Sequence, residues 1–267
     1  TFDRPPKEVV TGKPVFLLNS PEDRQELMKR IYGIDRVLLA PFDREMMTLP
    51  WDAFVEQKLV RDLNAVHLVA GHDYHFGYKN QGDPQLLQEK CRELGLGCDI
   101  IPKVEVDGIT VSSTYIRQLV ESGDVERAAH FLGHRHCMTQ TVGHGQRIGR
   151  TIGIPTVNLA VPGHVLVPKH GVYVSRVYLP GGKSYAGVTN VGTRPTVNDD
   201  TSKVTCETFI PGFSGDLYGA DPVVEFHAYL SPSKKFDSLD ELKDCIHHAA
   251  RRAQEYFAKP EKKAQNG

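Results

Sequence analysis

A glycine-rich stretch at residues 143–158 constrains the fold most strongly, because it offers little side-chain bulk to a core. It reads G-H-G-Q-R-I-G-R-T-I-G-I-P-T-V-N. Glycines let backbone N–H groups approach a ligand closely, and successive N–H groups form anion-binding concavities. Arg147 and Arg150 add guanidinium groups whose geometry suits phosphate. The spacing does not match a P-loop, since Arg150 replaces the lysine and Pro155 disfavours a helix directly afterwards. The residues alone leave two interpretations open, a phosphate site or a plain turn between strands.

The end of this stretch resembles the signature of riboflavin kinases, in which a P-T-x-N element holds Mg-ATP. Pro155, Thr156 and Asn158 match that element position for position. Two later stretches, residues 187–196 and 207–219, resemble the same family. The resemblance implies that Thr156 and Asn158 bind Mg²⁺ and that the preceding loop covers the ATP phosphates. The loop residues concerned are Gly143, Gly145, Gly149, Arg150 and Gly153.

Length and composition bound the kind of protein. A chain of 267 residues is long enough for one large domain or two ordinary ones. The net charge of −1 favours neither nucleic acid nor an anionic membrane as partner, so we expect small-molecule partners. The sequence has no apolar run approaching the ~18 residues of a membrane span. Five cysteines without a C-x-x-C pair suggest a reducing, cytoplasmic location. We expect a monomer or a weak homo-oligomer.

The first half alternates short apolar runs with helical patterns. We predict strands at residues 36–40, 65–71 and 98–104, and helices that begin at Ser20-Pro21, near Pro50 and at Asp83-Pro84. This alternation indicates βαβ units and a parallel sheet covered by helices. A short helix at residues 123–133 ends the domain, and the polar residues 134–136 are expected to form a solvated linker.

Two stretches fall where such sheets bind ligands, beyond the carboxyl ends of the strands. Residues 71–77 follow a predicted strand and include Asp73 and Phe76. Residues 112–117 begin a helix whose N-terminal N–H groups suit phosphate. Its candidate nucleotide-binding residues are Ser112, Ser113, Thr114 and Arg117. The residues alone also fit an aromatic-packed connection and a well-capped helix.

Both stretches resemble the adenylyltransferase domain of the bifunctional riboflavin kinase/FAD synthetases. Residues 71–77 are similar to its flavin-side loop G-x-D-F-x-F-G, with Tyr74 where phenylalanine is usual, and residues 112–117 match its S-S-T-x-I-R motif. The resemblance implies a Rossmann-like nucleotidyltransferase fold for residues 1–133. That family's opening loop contains H-x-G-H, which does not occur here. We therefore expect the domain to lack its first βα unit, through truncation rather than natural loss, and its adenylylation site to be incomplete.

The second half changes to short β segments. Residues 139–142, 171–179, 184–190, 204–210 and 223–230 are strand-like, which indicates a small closed barrel. The resemblance implies a six-stranded antiparallel barrel, the riboflavin kinase domain, over residues 137–267. A capping box at Ser238 and Glu241 starts a helix after the last strand.

Phosphoryl transfer needs charge neutralisation, in-line geometry and a base for the attacking hydroxyl. Thr156 and Asn158 carry oxygen atoms that suit Mg²⁺, and their i, i+2 spacing puts them on one face of a strand. The resemblance implies that Glu207 accepts the proton of the ribityl 5′-hydroxyl. Glu207 could instead be an exposed strand residue paired with Lys203 or Lys183.

Three further residues are candidates for flavin contacts or for fixing the loops themselves. They are Asn190, Arg194 and Tyr218. The functional hypothesis is conversion of riboflavin to flavin mononucleotide (FMN) and ADP by Mg-ATP. In the complete protein the first domain then adenylylates FMN to FAD, with release of diphosphate.

Two alternatives stay open at this point. The first domain could be a scaffold beside an active kinase, or the chain could sense flavin or nucleotide without turnover. The presence of Thr156, Asn158 and Glu207 argues against mere sensing, because binding alone needs no base.

Overall fold

A computed structural model describes residues 1–139, 141–143, 154, 156–161, 163–196 and 199–259, with the backbone alone at residues 160, 194–196 and 199–203. The chain forms two compact units, one of Thr1–Val15 with Gln25–Ser112 and one of Phe16–Arg24 with Ser113–Gly267. The short segment Phe16–Arg24 joins the second unit through Leu17, whose N–H donates to the carbonyl of His164 at 2.8 Å.

The elements of the described chain follow in order. The helices are α1 (Pro6–Thr11), α2 (Pro21–Tyr32), α3 (Arg44–Thr48), α4 (Trp51–Ala53), α5 (Pro84–Leu94), α6 (Ser113–Ser122), α7 (Val125–Leu132) and α8 (Leu239–Ala258), with a π-helix at Phe54–Asp62 and a 3₁₀ turn at Tyr78–Asn80. The strands are β1 (His67–Gly71), β2 (Gly97–Ile101), β3 (Glu105–Val106), β4 (Ile109–Thr110), β5 (Cys137–Thr139), β6 (Val142–Gly143), β7 (Thr156–Ala160), β8 (Gly171–Tyr178), β9 (Ser184–Thr196), β10 (Asp199–Phe209) and β11 (Val223–Ser231).

The first unit has parallel strand pairing, as the α/β pattern predicts. Strands β1 and β2 pair in parallel from His67 opposite Gly97 to Gly71 opposite Ile101. The strand predicted at residues 36–40 is shorter than expected, since it makes a single parallel bridge from Ala40 to Phe2. The parallel α/β architecture of this half is therefore confirmed.

Helix starts follow the predicted capping chemistry. The Asp83 side chain accepts from the N–H of Leu86 at 2.8 Å, and the Ser20 hydroxyl oxygen accepts from the N–H of Asp23 at 3.0 Å. The helix predicted near residues 50–63 is present, although its greater part, Phe54–Asp62, has π-helical hydrogen bonding. Its Val55 is fully buried in a cluster with Phe76.

The second unit is an antiparallel barrel. Over the described residues, its sheet has seven strands in the order β5-β11-β8-β9-β10-β7-β6. The two end strands, β5 and β6, are separated in sequence only by residues 140 and 141, so one stretch of chain pairs with β11 on one side and β7 on the other. That arrangement closes the sheet. Counted as one interrupted strand, β5 and β6 give the six-stranded barrel that the resemblance implied.

The barrel separates an inner from an outer face. The inner face forms the larger core, whose fully buried members include Tyr173, Val191, Cys206 and Phe226. On part of the outer face, Val174 and Val188 pack with alanines of α8. The side chain of Ser238 accepts from the N–H of Glu241 at 3.1 Å, which confirms the predicted start of this helix.

The segment at residues 134–136 differs from the predicted solvated linker. His136 is fully buried, and its ring stacks on Phe226 with centroids 5.8 Å apart. The expectation was wrong because it considered only local polarity, whereas the barrel core supplies an aromatic partner.

Candidate functional site

Five residues on neighbouring strands form one row across the barrel. Gly143 on β6 lies opposite Asn158 on β7, and Asn158 lies opposite Glu207 on β10. Glu207 in turn lies opposite Asn190 on β9, which faces Val172 on β8. Directly opposed residues in antiparallel pairs have Cβ atoms ~4.5–5.5 Å apart. The carboxylate is therefore held between two amide side chains, in what we call the polar row.

The polar row faces outward from the barrel. Cys206 and Thr208, which flank Glu207, are fully buried, whereas Glu207 itself is half-buried. The hydroxyl of Thr208 meets that of Thr189 at 2.8 Å inside the barrel. Because successive side chains of a strand point to opposite faces, Glu207 lies on the side that α8 covers.

A cavity of about 210 Å³ lies between this outer face and α8. Its polar residues at the strand side include Thr156, Asn190, Glu207 and Ser233. Its apolar walls consist of Val172, Val188, Phe209, Leu230, Phe236, Leu242, Ile246 and Ala249. The cavity thus combines apolar walls with a cluster of hydrogen-bonding groups, a combination typical of small-molecule sites.

A second cavity, also of about 210 Å³, is lined by the loop before β11. It includes Gly215, Asp216 and Tyr218, and it shares Thr156 with the first cavity. The Asp216 side chain accepts from the N–H of Tyr218 at 3.0 Å and so orders the loop. Thr156 therefore lines both cavities.

Two residues near the polar row carry side-chain oxygen atoms of the kind that a magnesium ion prefers. Thr156 and Asn158 lie on one face of β7, and Asn158 Nδ2 donates to the Thr156 carbonyl at 3.5 Å. Mg²⁺ prefers such oxygens and commonly takes its other ligands from water and phosphate. Within the part of the chain that the structure describes, no group of three or more His, Cys, Asp or Glu could hold a metal ion.

In the first unit, the two predicted flavin-side residues have contrasting surroundings. The Asp73 side chain is 84% exposed. Phe76 is buried, and its ring stacks on Tyr74 with centroids 5.2 Å apart. Phe76 therefore packs beneath the loop, while Asp73 is open to solvent.

The predicted nucleotide motif at residues 112–117 starts a helix, as expected. Helix α6 begins at Ser113, so Ser113 and Thr114 occupy its first turn. Arg117 donates from Nε to the carbonyl of Phe16 at 3.2 Å. Ser112 belongs to the first compact unit and the other three residues to the second.

Comparisons with known proteins identify the family. A riboflavin kinase family model matches residues 132–257, and an FAD synthetase family model matches residues 1–115. A bifunctional riboflavin kinase/FMN adenylyltransferase of Haemophilus influenzae is 34% identical over 96% of this chain and 82% of its own length. The chain belongs to the bifunctional riboflavin kinase/FMN adenylyltransferase family.

The chain is also similar to a second relative and to a solved structure. The Pseudomonas fluorescens bifunctional riboflavin kinase/FMN adenylyltransferase is 38% identical over 80% of this chain and 68% of its own length. A crystal structure from Streptococcus pneumoniae, named as a macrolide-efflux protein, matches with a TM-score of 0.81 and 29% identity over 95% of this chain and 82% of that one. Among the described residues, no helix is both long and apolar enough to cross a membrane.

The domain limits of this family member stay a prediction. The family models match up to residue 115 and again from residue 132. The compact units divide instead at Ser112 and Ser113, with Phe16–Arg24 on the side of the barrel. The boundary predicted at residues 133–137 lies close to the start of the riboflavin kinase model.

Some of the family's signature residues lie outside the described structure. They are Gly145, Gly149, Arg150, Gly153 and Pro155, together with the side chain of Arg194. Gly143, by contrast, is described on β6, opposite Asn158. The structure therefore brings together Gly143, Thr156, Asn158, Asn190 and Glu207.

The segment after β11 was not predicted from the sequence to be part of the site. Ser233, Lys234 and Phe236 line the first cavity but lie outside the family-like stretches at residues 143–158, 187–196 and 207–219. The Ser231-Pro232-Ser233 run does mark the end of a strand, because proline cannot continue the ladder. The hydrogen bond from Ser233 to Asn190 joins residues far apart in sequence, so the local sequence gives no sign of it.

Proposed function

We propose that the second unit phosphorylates the ribityl 5′-hydroxyl of riboflavin with Mg-ATP and releases FMN and ADP. The observation that carries this proposal is the position of Glu207. It lies between Asn158 and Asn190 in the polar row and lines an apolar cavity beside α8. A base in that position is what transfer to a hydroxyl requires.

The first cavity suits the acceptor. Riboflavin has a flat, largely apolar ring system and a flexible tail of hydroxyl groups. The walls that include Val188, Phe209 and Phe236 match the ring, and the polar residues Thr156, Asn190 and Glu207 match the tail. With the ring between the sheet and α8, the end of the tail reaches the polar row.

The second cavity suits the nucleotide. Thr156 lines both cavities, so a donor phosphate in the second cavity would lie close to an acceptor hydroxyl in the first. Gly143, beside Asn158, opens the glycine-rich loop that would supply backbone N–H groups to the phosphates. The reacting groups would then approach each other near Thr156.

In the proposed reaction, Glu207 accepts the proton of the 5′-hydroxyl as that oxygen bonds to the γ-phosphorus. The bond from phosphorus to the bridging oxygen breaks, and ADP leaves with that oxygen. Thr156 and Asn158 would hold Mg²⁺, which supplies charge neutralisation at the phosphates. Glu207 is oriented by the pairing of its strand with the strands of Asn158 and Asn190.

The direct test is conversion of riboflavin to FMN by the purified chain with ATP and Mg²⁺, followed by fluorescence-detected chromatography. We expect FMN with Mg-ATP and none when a chelator removes the metal. Tight riboflavin binding without any FMN would refute the kinase and favour a flavin-sensing protein.

We also propose that the first half contributes FMN adenylylation, forming FAD and diphosphate. Support comes from the FAD synthetase model over residues 1–115 and from the Ser113 to Arg117 part of the nucleotide motif on α6. FAD formation from FMN and Mg-ATP by the natural protein tests this. An active kinase that makes no FAD would favour a scaffold role for this half.

We propose a cytoplasmic monomer or weak homo-oligomer that acts on small molecules, on the basis of its near-zero charge of −1 and its five free cysteines. Sedimentation analysis over a range of concentrations tests the oligomeric state.

A further inference from the structure

Residues 231–237, which we call the strap, join β11 to α8 and line the first cavity through Pro232, Lys234 and Phe236. The far end of the strap is fixed to the first turn of α8. There the N–H of Asp237 donates to Glu241 Oε2 at 3.3 Å, and Lys234 Nζ lies 3.4 Å from Glu241 Oε1.

The near end of the strap is fixed to the polar row. The Ser233 hydroxyl donates to Asn190 Oδ1 at 2.7 Å, and the Val191 carbonyl lies further away, at 3.4 Å. A serine hydroxyl has one proton to donate, so the shorter contact takes it. Asn190 is the register partner of Glu207.

This bond determines what the Asn190 amide offers to a ligand. An asparagine side chain has one acceptor oxygen and two N–H donors, and an unconstrained amide can present either end. With Oδ1 engaged by Ser233, the end that stays available is the donor end.

Among the described residues, the space beside that donor is open on the side of Gly192. Gly192 is the next residue on this face of β9, and Asn190 Nδ2, at 3.6 Å, is the nearest described atom to the position its Cβ would occupy. No side chain at residue 192 crowds the amide nitrogen. A ligand oxygen can therefore approach it.

We infer that Ser233 is a positioning residue, which holds Asn190 so that its Nδ2–H groups donate to a hydroxyl oxygen of the flavin tail. This inference rests on the proposed function, because it assigns the tail to the polar end of the cavity. It predicts that Ser233 affects the recognition of the tail and not of the ring.

The test compares two flavins in the absence of ATP. Riboflavin has the tail, whereas lumiflavin keeps the ring and replaces the tail by a methyl group. Dissociation constants are measured by fluorescence titration for the wild type, Ser233→Val and Ser233→Thr. Valine and threonine have the same shape and differ in the hydroxyl, so any effect of strap packing is common to both.

We expect Ser233→Val to weaken riboflavin binding about three- to tenfold, the usual effect of one lost hydrogen bond, and to leave lumiflavin binding unchanged. Ser233→Thr should restore the riboflavin affinity. Lys235→Ala, in the strap but not among the residues that line the cavity, is the control and should match the wild type. Thermal melts verify that each variant is folded.

Equal riboflavin affinities for the valine and threonine variants would overturn the inference, as would an equal loss for both flavins. In turnover, the KM for riboflavin should rise while the KM for ATP stays constant. A wild type that binds riboflavin but forms no FMN would refute the proposed function, and the comparison of flavin affinities among the variants would still be valid. If the wild type forms FMN but the variants have equal riboflavin affinities, only the role of Ser233 is refuted.

Discussion

Glu207 and Asn158 are register partners on adjacent antiparallel strands, β10 and β7. A carboxylate and an amide oxygen are thereby held at the same level of one sheet face, beside the cavity that Thr156 lines. A one-residue slip of either strand would turn that strand's side chains to the other face of the barrel. The pairing thus fixes the distance between a candidate base and a candidate metal ligand.

Asn190→Asp should shift the pH dependence of the kinase. The new carboxylate would lie opposite Glu207 on β9, and a like charge nearby raises the pKa of a carboxyl group. A base works only when ionised, so the acidic limb of kcat should move to higher pH, by about one unit. Rates of FMN formation between about pH 5 and 9 provide the measurement. An acidic limb at the wild-type pH would contradict this geometry.

Phe236→Ala should weaken riboflavin binding by about tenfold, since it removes an apolar wall of the first cavity. The KM for ATP should not change, because Phe236 does not line the second cavity. Fluorescence titration and initial rates measure the two effects. Leu239→Ala is a matched control, because Leu239 is 54% exposed and lies outside both cavities. Identical affinities for the two variants would refute the assignment of the ring to this cavity.

His136 should make the second unit less stable as the pH falls. Burial, with a smaller effect from the charge of His134, lowers the pKa of His136 from 6.5 to about 4. Between these values the unfolded chain binds a proton that the folded chain does not. Stability is therefore lost as pH falls through this window, by about 2 kcal/mol between pH 7 and pH 5 from this group.

His136→Phe removes the titrating group but keeps an aromatic ring against Phe226. Calorimetric melts of both proteins at the two pH values isolate the contribution of His136. We expect the variant to lose about 2 kcal/mol less than the wild type on acidification. Equal losses of unfolding free energy in the two proteins would show that His136 does not titrate as its burial implies.

Gly187→Ala should lower the free energy of unfolding of the second unit by about 1–3 kcal/mol, because the added methyl overpacks the barrel. Its Cβ would lie 2.9 Å from Ser175 Oγ and Val177 Cγ2. Gly192→Ala is the control, since the one described atom within 4 Å of its Cβ would be Asn190 Nδ2, at 3.6 Å. Chemical denaturation measures both, and a variant at residue 187 as stable as the control would contradict the packing.

The sequence predicted the elements whose causes are local. The caps at Ser20, Asp83 and Ser238 form as expected, because each side chain bonds to the backbone three residues ahead. The placement of Thr156 and Asn158 on one strand face follows from the alternation of side chains in a strand. Such features need no knowledge of the rest of the fold.

Features that depend on distant partners were not predictable. In β11 the polar side chain of His227 is buried, because the ring of Phe257 on α8 lies 4.8 Å from its ring. The bond between Ser233 and Asn190 likewise joins two elements far apart in sequence. In both cases the contact is made by an element distant in sequence, so the local pattern could not predict it.

The turnover number of Glu207→Gln for FMN formation tests most directly whether Glu207 is the base. Glutamine keeps the shape of the side chain between Asn158 and Asn190 but cannot take up the proton of the hydroxyl. With riboflavin and Mg-ATP saturating, we expect kcat to fall about 10²–10⁴-fold while the melting temperature and riboflavin affinity stay close to those of the wild type. A turnover number within a few-fold of the wild type, in a folded variant that binds riboflavin, would show that Glu207 is not the base.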